Sequence, residues 1–463
     1  MISGPPATVE VLDRSGARLT GWGGGDPVTV VLQRPGTLQA LRAAVDRVAS
    51  GHAASGAIAR GMGRSYGDAA QLSGGLVLET RSLKAFALDR EQGTVTAQAG
   101  ATIGALQGEL VRAGWTLPVV PGTQHVSVGG ALASDIHGKN HAAVGTLGSH
   151  VRMLGLLTAS GELRELAPGA EDGLFEATLG GMGLTGVIVW AQITLRAIGT
   201  PLLSVDTDRV DRLQDALAAL RAPGGPHRVA WLDLLGPRRG RGIVTRAEHI
   251  PADAARLAPP KRSGATVSAR ATVPGRWPGG LLRPGIVRAF NELRWRTAPR
   301  RERGRIEGLG GHMFPLDALD AWPRLYGASG FVQYQFVVPT GHEGILEGVI
   351  DLLHRARVPC YLAVLKDLGA AGDAPLSFPI AGWTLALDLP RAAGGLGAAL
   401  RRCDELVADA GGRVYLTKDE RLAPDMVGAM YPKLERWRAI RERADPDRIW
   451  CSDLGLRTGL VSR

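Results

Sequence analysis

Short apolar runs and helix-spaced apolar positions follow one another over the first 197 residues. Residues 37–50 carry apolar side chains three or four positions apart, and Thr37 stands where it can cap the free amides of a helix. Thr102 begins a second segment of this kind. Apolar runs predict strands at residues 57–59, 76–78, 94–99, 115–120 and 187–195. Such mixing of strands and helices predicts an α+β or α/β domain.

From about residue 200 to residue 410 the pattern changes to longer, alternating strands. Residues 331–338 alternate strictly, so that Gln333 and Gln335 share one face and four apolar side chains share the other. We therefore expect two glutamines side by side on a sheet whose other face lies in the core. Further elements are predicted nearby: a helix at 213–220 and strands at 229–235, 361–365 and 383–389.

Two further segments depart from this alternating pattern. Residues 237–310 are rich in proline, glycine and arginine, and we expect a long, partly mobile insertion there. Residues 411–463 are expected to form a compact tail, with a glycine turn at its beginning and a strand at 414–415.

Positive charge is concentrated between Arg238 and Arg305. The chain has 463 residues, 45% of them hydrophobic and 21% charged, which are globular values and enough for two domains. The net charge is +10, and this segment alone holds 17 basic and 4 acidic residues. The segment is either a solvated loop or a surface that attracts anionic phosphates, on a lipid or on a nucleic acid. Because it lacks a recognisable nucleic-acid-reading module, we expect no nucleic-acid partner.

Other classes of protein are disfavoured by the sequence. The three cysteines are scattered and form no CxxC motif, which argues against a disulfide framework. We see no signal peptide at the N-terminus and no uncharged apolar run approaching 18 residues. A soluble or peripherally membrane-associated protein is therefore expected.

Two glycine-rich loops carry the strongest chemical signal. The first places Gly61, Gly63 and Gly67 close together, directly after a short apolar strand. The second, residues 121–130, reads PGTQHVSVGG. Glycine lets backbone amides approach a ligand closely, and successive N–H groups form a nest for an anion such as a diphosphate. Two such loops suggest one long dinucleotide that is held at two places.

Two other motifs are weaker. Residues 181–186 read GMGLTG and match GxGxxG, but a β-branched run follows where a dinucleotide-binding helix should begin, so a tight turn before a strand is the better interpretation. Asp135, His137 and His141 lie close in sequence without a standard metal-ligand spacing, and we expect no metal site. His137 is either a polar neighbour of a bound ring, which we favour, or a structural histidine.

The motifs taken together resemble a known family. The segments GMGRSYGD, PGTQHVSVGGALASDIHGKNH and GGMGLTGVI are similar to the FAD-binding domain of the vanillyl-alcohol-oxidase/PCMH flavoprotein superfamily, and FVQYQFVVPT, APLSFPIAGW, YLTKDERL and DPDRIWCSDL extend the similarity over nearly the whole chain. The resemblance implies an α+β fold of two domains. A PCMH-type FAD-binding domain would comprise residues 1–197 and the returning segment 411–463. A substrate-binding domain built on an antiparallel sheet would comprise residues 198–410, with the basic insertion 237–310 inside it.

The resemblance also implies how the cofactor, FAD, is held. Many members attach FAD covalently through a histidine of the first loop; Arg64 stands at the corresponding place and cannot form that bond, so we expect noncovalent FAD. The residues expected to bind FAD are Ala59, Arg60, Gly61, Met62, Gly63, Arg64, Ser65, Tyr66, Gly67, Asp68 and Ala69 in the first loop, Gly122, Ser127, Val128, Gly129 and Gly130 in the second, and Ser134, Asp135, Ile136, His137, Ile188 and Tyr415 around the flavin.

The branch of the superfamily that the chain resembles most oxidises a ribose 2′-hydroxyl to a ketone. The ribose is joined through phosphate to a polyprenyl lipid, and the reaction is the first half of an epimerisation to the arabinose donor of cell-wall arabinan, which a separate ketoreductase completes. By motif match, Lys418, His137 and Tyr66 are the catalytic candidates. The Lys418 ammonium would hold the hydroxyl and offset charge on the reduced flavin.

The substrate-binding candidates are Gln333 and Gln335 for the sugar hydroxyls and Lys366 for the phosphate. A structural role is the alternative for three of these residues. The two glutamines could lie on a solvated sheet face, and Lys418 could occupy a surface position beside acidic neighbours. Some relatives carry a cysteine beside the flavin where this chain has Ala386, and alanine should not block the reaction.

A polyprenyl substrate would also give the basic insertion a role. Trp277 and Trp295 lie among its arginines, and such a segment would dock on anionic headgroups as a peripheral membrane contact. Two rival functions stay open. One is a related FAD oxidase of a soluble alditol or aldonolactone, with the same fold and cofactor. The other is a basic binding module that has lost its oxidoreductase activity.

Overall fold

The computed structural model describes residues 16–51, 56–236, 238–251, 264–275 and 279–462. Within these ranges, no helix combines the length and the apolar character needed to cross a bilayer. Apart from short 3₁₀ turns, the helices are α1 (Leu38–Ala49), α2 (Ile103–Arg112), α3 (Val128–Ala133), α4 (His141–Val144), α5 (Leu174–Thr178), α6 (Leu213–Arg221), α7 (Pro284–Thr297), α8 (Leu309–Met313), α9 (Gly344–Arg355), α10 (Leu396–Asp409), α11 (Pro424–Met430), α12 (Leu434–Ala444) and α13 (Asp453–Arg457).

Helices α1 and α2 begin at threonine caps, as the sequence predicts. The hydroxyl of Thr37 accepts a hydrogen bond from Ala40 N at 3.1 Å, and that of Thr102 accepts one from Ala105 N at 3.2 Å. Each bond satisfies one of the amides that a first helical turn leaves free. The helix-spaced apolar residues of α1, among them Leu41, are buried against the first sheet.

Two sheets form the N-terminal part of the fold. Their strands, together with a short outlying pair, are β1 (Ala17–Leu19), β2 (Val28–Gln33), β3 (Ala57–Arg60), β4 (Leu76–Glu79), β5 (Phe86–Asp89), β6 (Thr94–Gln98), β7 (Trp115–Thr116), β8 (Val151–Leu157), β9 (Leu163–Leu166), β10 (Val187–Thr194) and β11 (Arg196–Ala197). The first sheet has the order β1–β2–β4–β3, with β2, β4 and β3 parallel. The second is antiparallel, in the order β5–β6–β10–β8–β9.

Two predictions in this region have different outcomes. The GMGLTG segment 181–186 forms turns that lead into β10 rather than opening a helix, as expected. The strand predicted at 115–120 is too long. Only β7, at residues 115–116, forms a strand there, and it pairs with β11. Residues 117–120 instead run on as irregular chain into the second glycine loop, and side chains bond their main chain: Leu117 N donates to Gln107 and Pro118 O accepts from Asn140, both at 2.9 Å.

An antiparallel sheet of eight strands forms the second part of the fold. The strands from this half of the chain are β12 (Leu202–Val210), β13 (His227–Asp233), β14 (Arg241–His249), β15 (Ala271–Thr272), β16 (Arg301–Gly308), β17 (Leu319–Asp320), β18 (Phe331–Pro339), β19 (Leu362–Leu368), β20 (Gly382–Pro390) and β21 (Arg413–Val414). The large sheet has the order β16–β12–β14–β13–β19–β20–β18–β21, and β15 and β17 form a separate pair. Tyr334, Phe336 and Val338 of β18 are buried in the core, as their alternation predicts.

The described part of segment 237–310 differs from the irregular insertion that its composition suggests. Strands β14 and β16 and helix α7 lie in it, and β14 pairs with both β12 and β13. Arg241 is buried against Asp233 at 2.8 Å, and Arg246 against Asp208 at 2.7 Å. Part of the basic charge therefore pairs with carboxylates of neighbouring strands, which composition alone does not reveal.

The C-terminal segment returns to the first sheet and to the first glycine loop. Cys451 N donates to Ala57 O at 3.0 Å, beside the start of β3. From α13, the guanidinium of Arg457 donates to both carboxylate oxygens of Asp68 at 2.8 and 2.9 Å and pairs with Asp419 at 2.9 Å. One arginine thus joins the end of the glycine loop to the turn that carries Lys418.

We expect Arg457→Ala to lower the free energy of unfolding by about 3 kcal/mol, because it leaves the carboxylates of Asp68 and Asp419 without their cation. Arg112→Ala removes an exposed pair with Glu109 and should change it by less than about 0.5 kcal/mol. Urea unfolding followed by circular dichroism measures both changes. An equal effect of the two substitutions would contradict the assignment.

Candidate active site

A cavity of about 310 Å³ lies between the two glycine loops and the eight-stranded sheet. Its wall combines main chain from the loops with polar side chains from the sheet. The predicted site residues in this wall are Ala59, Gly61, Met62, Gly63, Arg64, Ser65, Tyr66, Ala69, Gly122, Ser127, Gly129, Gly130, Ser134, Ile136, His137, Gln333, Gln335, Lys366, Tyr415 and Lys418. The fold thus brings the predicted cofactor loops and the predicted substrate residues around one space.

The first glycine loop turns directly after β3. A Cβ added at Gly61 would overlap Oγ of Ser127 in the second loop, so the two loops touch where only glycine fits. Gly63 has a φ of +61°, a conformation that favours glycine. Main chain rather than side chain therefore faces the cavity here, which is the surface that a bound diphosphate requires.

The second loop is equally close-packed. The hydroxyl of Ser127 accepts a hydrogen bond from Gly130 N at 3.3 Å as α3 begins. A Cβ added at Gly129 would lie 2.8 Å from Cβ of Ala99, whereas one added at Gly122 would meet open space. With the first loop opposite, this surface fits a long dinucleotide cofactor such as FAD.

Arg64 adds a cation to the loop side of the cavity. Its guanidinium lies 3.6 Å from the ring centroid of Trp22, a residue that sequence reasoning missed. Burial lowers the pKa of Arg64, but a guanidinium stays charged at any physiological pH. Its buried Nε has no hydrogen-bond partner among the described residues. Such an orphaned donor in a cavity wall suits an anionic ligand.

Some predicted cofactor residues do not reach the cavity wall. They are Arg60, Gly67, Asp68, Val128, Asp135 and Ile188. The side chain of Arg60 donates to two main-chain carbonyls at 2.9 and 3.0 Å, and Asp68 pairs with Arg457. Val128 and Ile188 are buried in the core. The structure places these residues behind the cavity wall, where they support the loops.

Three neighbouring strands, β19, β20 and β18, form the wall opposite the loops. Their cross-strand pairing sets side chains in rows: Leu362, Asp388 and Gln333 in the first, Val364, Ala386 and Gln335 in the second, and Lys366 and Thr384 in the third. Because strands alternate with a period of two, these side chains share one face of the sheet. The two glutamines lie on one face, as predicted, and both contribute to the cavity wall.

His137 meets this wall from the turn after α3. Asp135 shapes that turn, with a φ of +40° and a carboxylate that accepts from Gly148 N at 3.1 Å. The side-chain amide of Gln335 lies 3.1 Å from Nε2 of His137 and 3.2 Å from the hydroxyl of Thr384. Burial, with cations nearby, holds the pKa of His137 well below its usual value. A neutral His137 therefore accepts a hydrogen bond from Gln335.

Lys418 and Tyr66 form a close pair between the loops and the sheet. Nζ of Lys418 lies 3.8 Å from the ring centroid of Tyr66. Burial lowers the pKa of Lys418 to about 7, and that of Lys366 to about 8. Burial also raises the pKa of the Tyr66 phenol, which stays neutral. The site thus holds two amines that exchange protons near neutral pH.

Asp388 is a site residue that sequence reasoning missed. Its carboxylate accepts hydrogen bonds from Nε2 of Gln333 at 2.5 Å and from the hydroxyl of Tyr326 at 3.5 Å. Burial raises the pKa of Asp388 to about 6. Asp388 is the single charged residue in the predicted strand 383–389, and that signal would have found it.

Comparison with known proteins agrees with this geometry. Residues 30–167 match the FAD binding domain family. The chain is 36% identical to the decaprenylphosphoryl-β-D-ribose oxidase of Mycolicibacterium smegmatis over 96% of this chain and 98% of that protein. It is 23% identical to an L-gulono-1,4-lactone dehydrogenase of Mycobacterium tuberculosis over 85% of this chain and 88% of that protein. The solved structure of BBE-like 1 of Physcomitrella patens aligns with a TM-score of 0.68 at 13% identity, covering 94% of this chain and 93% of that one.

These likenesses confirm the α+β flavoprotein fold that the motifs indicate. The matched domain and the full-length oxidase relative define an FAD-dependent oxidoreductase. Within that class, the chain belongs to the family of the mycobacterial decaprenylphosphoryl-β-D-ribose oxidase, since the similarity runs through nearly all of both proteins.

We expect Gly61→Ala to weaken FAD binding by roughly tenfold or more, because the added methyl group pushes the two loops apart at Ser127. The matched control is Gly36→Ala, whose added Cβ meets no atom within 4 Å. The ratio of flavin to protein absorbance after desalting measures the effect, and circular dichroism reports the fold. Equal flavin content in both variants would contradict the role of the loop contact.

Proposed function

We propose that the chain oxidises the 2′-hydroxyl of a polyprenyl-phosphoryl-β-D-ribose, the decaprenyl form in particular, to the 2′-keto sugar. The observation that carries the proposal is the meeting of Lys418, Gln335 and Lys366 in one cavity wall opposite the glycine loops. An amine, an amide and a second cation suit a secondary alcohol, sugar hydroxyls and a phosphate. The activity for which the mycobacterial relative is named supports the same substrate class.

The residues of the two loops would hold FAD, with main chain of 61–69 and 127–130 against its diphosphate and His137 and Tyr415 near its ring system. When bound, the oxidised flavin takes up the electron pair and the hydrogen that leave the alcohol carbon. The protein has three tasks left. It must position the carbon and the hydroxyl, accept the hydroxyl proton, and exclude water.

We assign the proton step to Lys418. With a pKa of about 7, a large share of this amine is neutral at neutral pH and can accept the hydroxyl proton. The ammonium that forms offsets negative charge developing in the site, and the Asp388 carboxylate stabilises it. The ring of Tyr66 lies against Nζ and holds the amine in place.

The sheet residues bind the rest of the substrate. Nε2 of Gln333 donates to Asp388, and we propose that its Oε1 accepts from a sugar hydroxyl. Gln335 is held by hydrogen bonds to His137 and Thr384, and its fixed side-chain amide lies next to Gln333 on the same face of the sheet. Lys366, with a pKa of about 8, is mostly a cation at neutral pH and meets the phosphate.

The wider organisation follows from this assignment. We propose that residues 1–197 and 411–463 form the FAD-binding domain and that residues 198–410 form the substrate domain. A polyprenyl chain stays in the bilayer, so the enzyme works as a peripheral membrane protein. The 2′-keto product passes to a ketoreductase partner, which completes the epimerisation to the arabinose donor for cell-wall arabinan.

A soluble alditol or aldonolactone is the competing substrate class, which the lactone dehydrogenase relative represents. Such substrates carry no phosphate and would leave the half-buried Lys366 cation without an anionic ligand. The cavity therefore favours the phosphorylated sugar.

The test is the visible spectrum of the protein during anaerobic addition of polyprenyl-phosphoryl-ribose. We expect the flavin band to bleach with this substrate and to persist with alditols and with L-gulono-1,4-lactone. At saturating substrate, the rate of bleaching should rise with pH through about 7 and level off above it, because Lys418 must be deprotonated to accept a proton and the bound phosphate keeps Lys366 protonated. Bleaching by lactone or alditol alone would overturn the proposal.

The Lys418→Arg variant tests the proton step in the same experiment, because arginine keeps the positive charge but cannot accept the hydroxyl proton. The variant should retain FAD, bleach roughly 100-fold more slowly and lose the rise near pH 7. Lys433→Arg makes the same exchange at an exposed position and should behave as wild type. Normal bleaching by Lys418→Arg would remove Lys418 from the proton step.

We propose that FAD is bound noncovalently, since the first loop presents the guanidinium of Arg64 against Trp22 rather than a nucleophile. Precipitation of the holoprotein with acid should leave the yellow colour in the supernatant and a colourless pellet. A pellet that stays yellow after washing in denaturant would show a covalent bond.

A further inference from the structure

The most exposed apolar side chains of the described residues gather on one helix. Ile286, Phe290 and Leu293 of α7 are 60%, 59% and 64% exposed. Their spacing of four and three residues puts them on one face of the helix. Single exposed hydrophobics are ordinary, but a row of three on one helix marks a surface that binds something.

The other side of α7 is firmly attached to the domain. Val287 and Asn291 are buried. The side-chain amide of Asn291 donates to Asp233 at 2.9 Å, and the indole N–H of Trp295 donates to the carbonyl of Val210 at 3.1 Å. The helix is therefore held in place with its apolar row turned to solvent.

One unpaired cation lies beside the apolar row. Arg283, three residues before Ile286, is exposed and forms no ion pair with any described residue. The single acidic residue of α7, Glu292, is already paired with Arg241 at 2.6 Å and with Arg296 at 2.5 Å. An apolar row beside an unpaired arginine is complementary to acyl chains beneath anionic headgroups.

The segment before α7 connects this surface to the cavity. Leu281 N and Leu282 N both donate to the carbonyl of Leu325 at 2.7 and 3.1 Å. Leu325 belongs to the same 3₁₀ turn as Trp322, which lines the cavity wall. Leu316, also in that wall, is 40% exposed. The apolar helix and an opening of the cavity are thus joined through one short turn.

We propose that α7 is the membrane-docking element of this enzyme and lies flat on an anionic bilayer. Ile286, Phe290 and Leu293 insert among the acyl chains, while Arg283 contacts a lipid phosphate. This inference rests on the proposed function, because a lipid-linked substrate gives the docking its purpose. The polyprenyl chain then stays in the bilayer while its phosphoribose reaches the cavity. Trp277, which the sequence analysis also linked to membranes, lies outside the described residues.

Flotation of the holoenzyme with vesicles tests the surface. Wild type should float with phosphatidylcholine vesicles that contain phosphatidylglycerol, and less so without it or in high salt. The triple variant with Ile286→Ser, Phe290→Ser and Leu293→Ser should lose roughly 100-fold or more in partitioning. Replacing Arg283 by glutamine should lower partitioning by roughly fivefold.

The matched control changes an exposed arginine on another helix, Arg401→Gln in α10, and should float as wild type does. Equal flotation of the triple serine variant and wild type would overturn the proposal. A second result would also overturn it: analytical ultracentrifugation shows that wild type is a dimer and the triple variant a monomer, while flotation is the same for both. The row would then be an interface between two copies.

Turnover separates this inference from the proposed function. With a short-chain, detergent-solubilised polyprenyl-phosphoryl-ribose, the triple variant should match wild type. With the long-chain substrate embedded in vesicles, it should be roughly tenfold slower or worse. Equal rates on embedded substrate would overturn the docking role of α7. A wild type that floats but oxidises neither substrate would overturn the proposed function and leave α7 as a membrane-binding surface.

Discussion

One arginine near the C-terminus holds the site together. Arg457 pairs with Asp68, at the end of the first glycine loop, and with Asp419, the residue after Lys418. A main-chain hydrogen bond links the same two segments, since the amide of Tyr66 donates to the carbonyl of Thr417, the residue before Lys418, at 3.1 Å. Two carboxylates that share one guanidinium cannot separate without leaving a charge unpaired. The glycine loop, the Lys418 turn and the last helix are therefore fixed relative to one another, and Nζ of Lys418 stays against the ring of Tyr66.

That rigid frame lets the protein keep ionisable groups in a partly buried cavity wall. The pKa values of Lys418 and Lys366 fall to about 7 and about 8, and that of Asp388 rises to about 6. All three shifts have the same leading cause, because removing water disfavours the charged form of any group. In water these amines would be fully protonated at neutral pH, whereas here they can give and take protons. The burial that makes such groups unfavourable for stability also makes them suitable for moving a proton.

The basic segment shows why composition alone misleads. Its arginines have two different environments: Arg241 and Arg246 pair with carboxylates inside the large sheet, whereas Arg283 faces solvent beside an apolar row. A count of charges cannot separate the two groups, because the partners come from strands elsewhere in the chain. Proline, glycine and arginine suggested irregular structure, yet β14 lies between two other strands of the sheet. Cross-strand hydrogen bonds and ion pairs outweighed the local preference.

The sequence by itself determined the features that depend on neighbouring residues. Thr37 caps a helix, the glycines of the first loop expose main chain, and the alternation in β18 puts Gln333 and Gln335 on one face. Each of these follows from a local period or from backbone freedom. Only the tertiary structure decided that Lys418 lies against Tyr66 and that Asp388 stands behind Gln333. Those contacts join residues far apart in the chain, and the depth of burial that shifts their pKa values exists only once the sheet and the loops have closed over them.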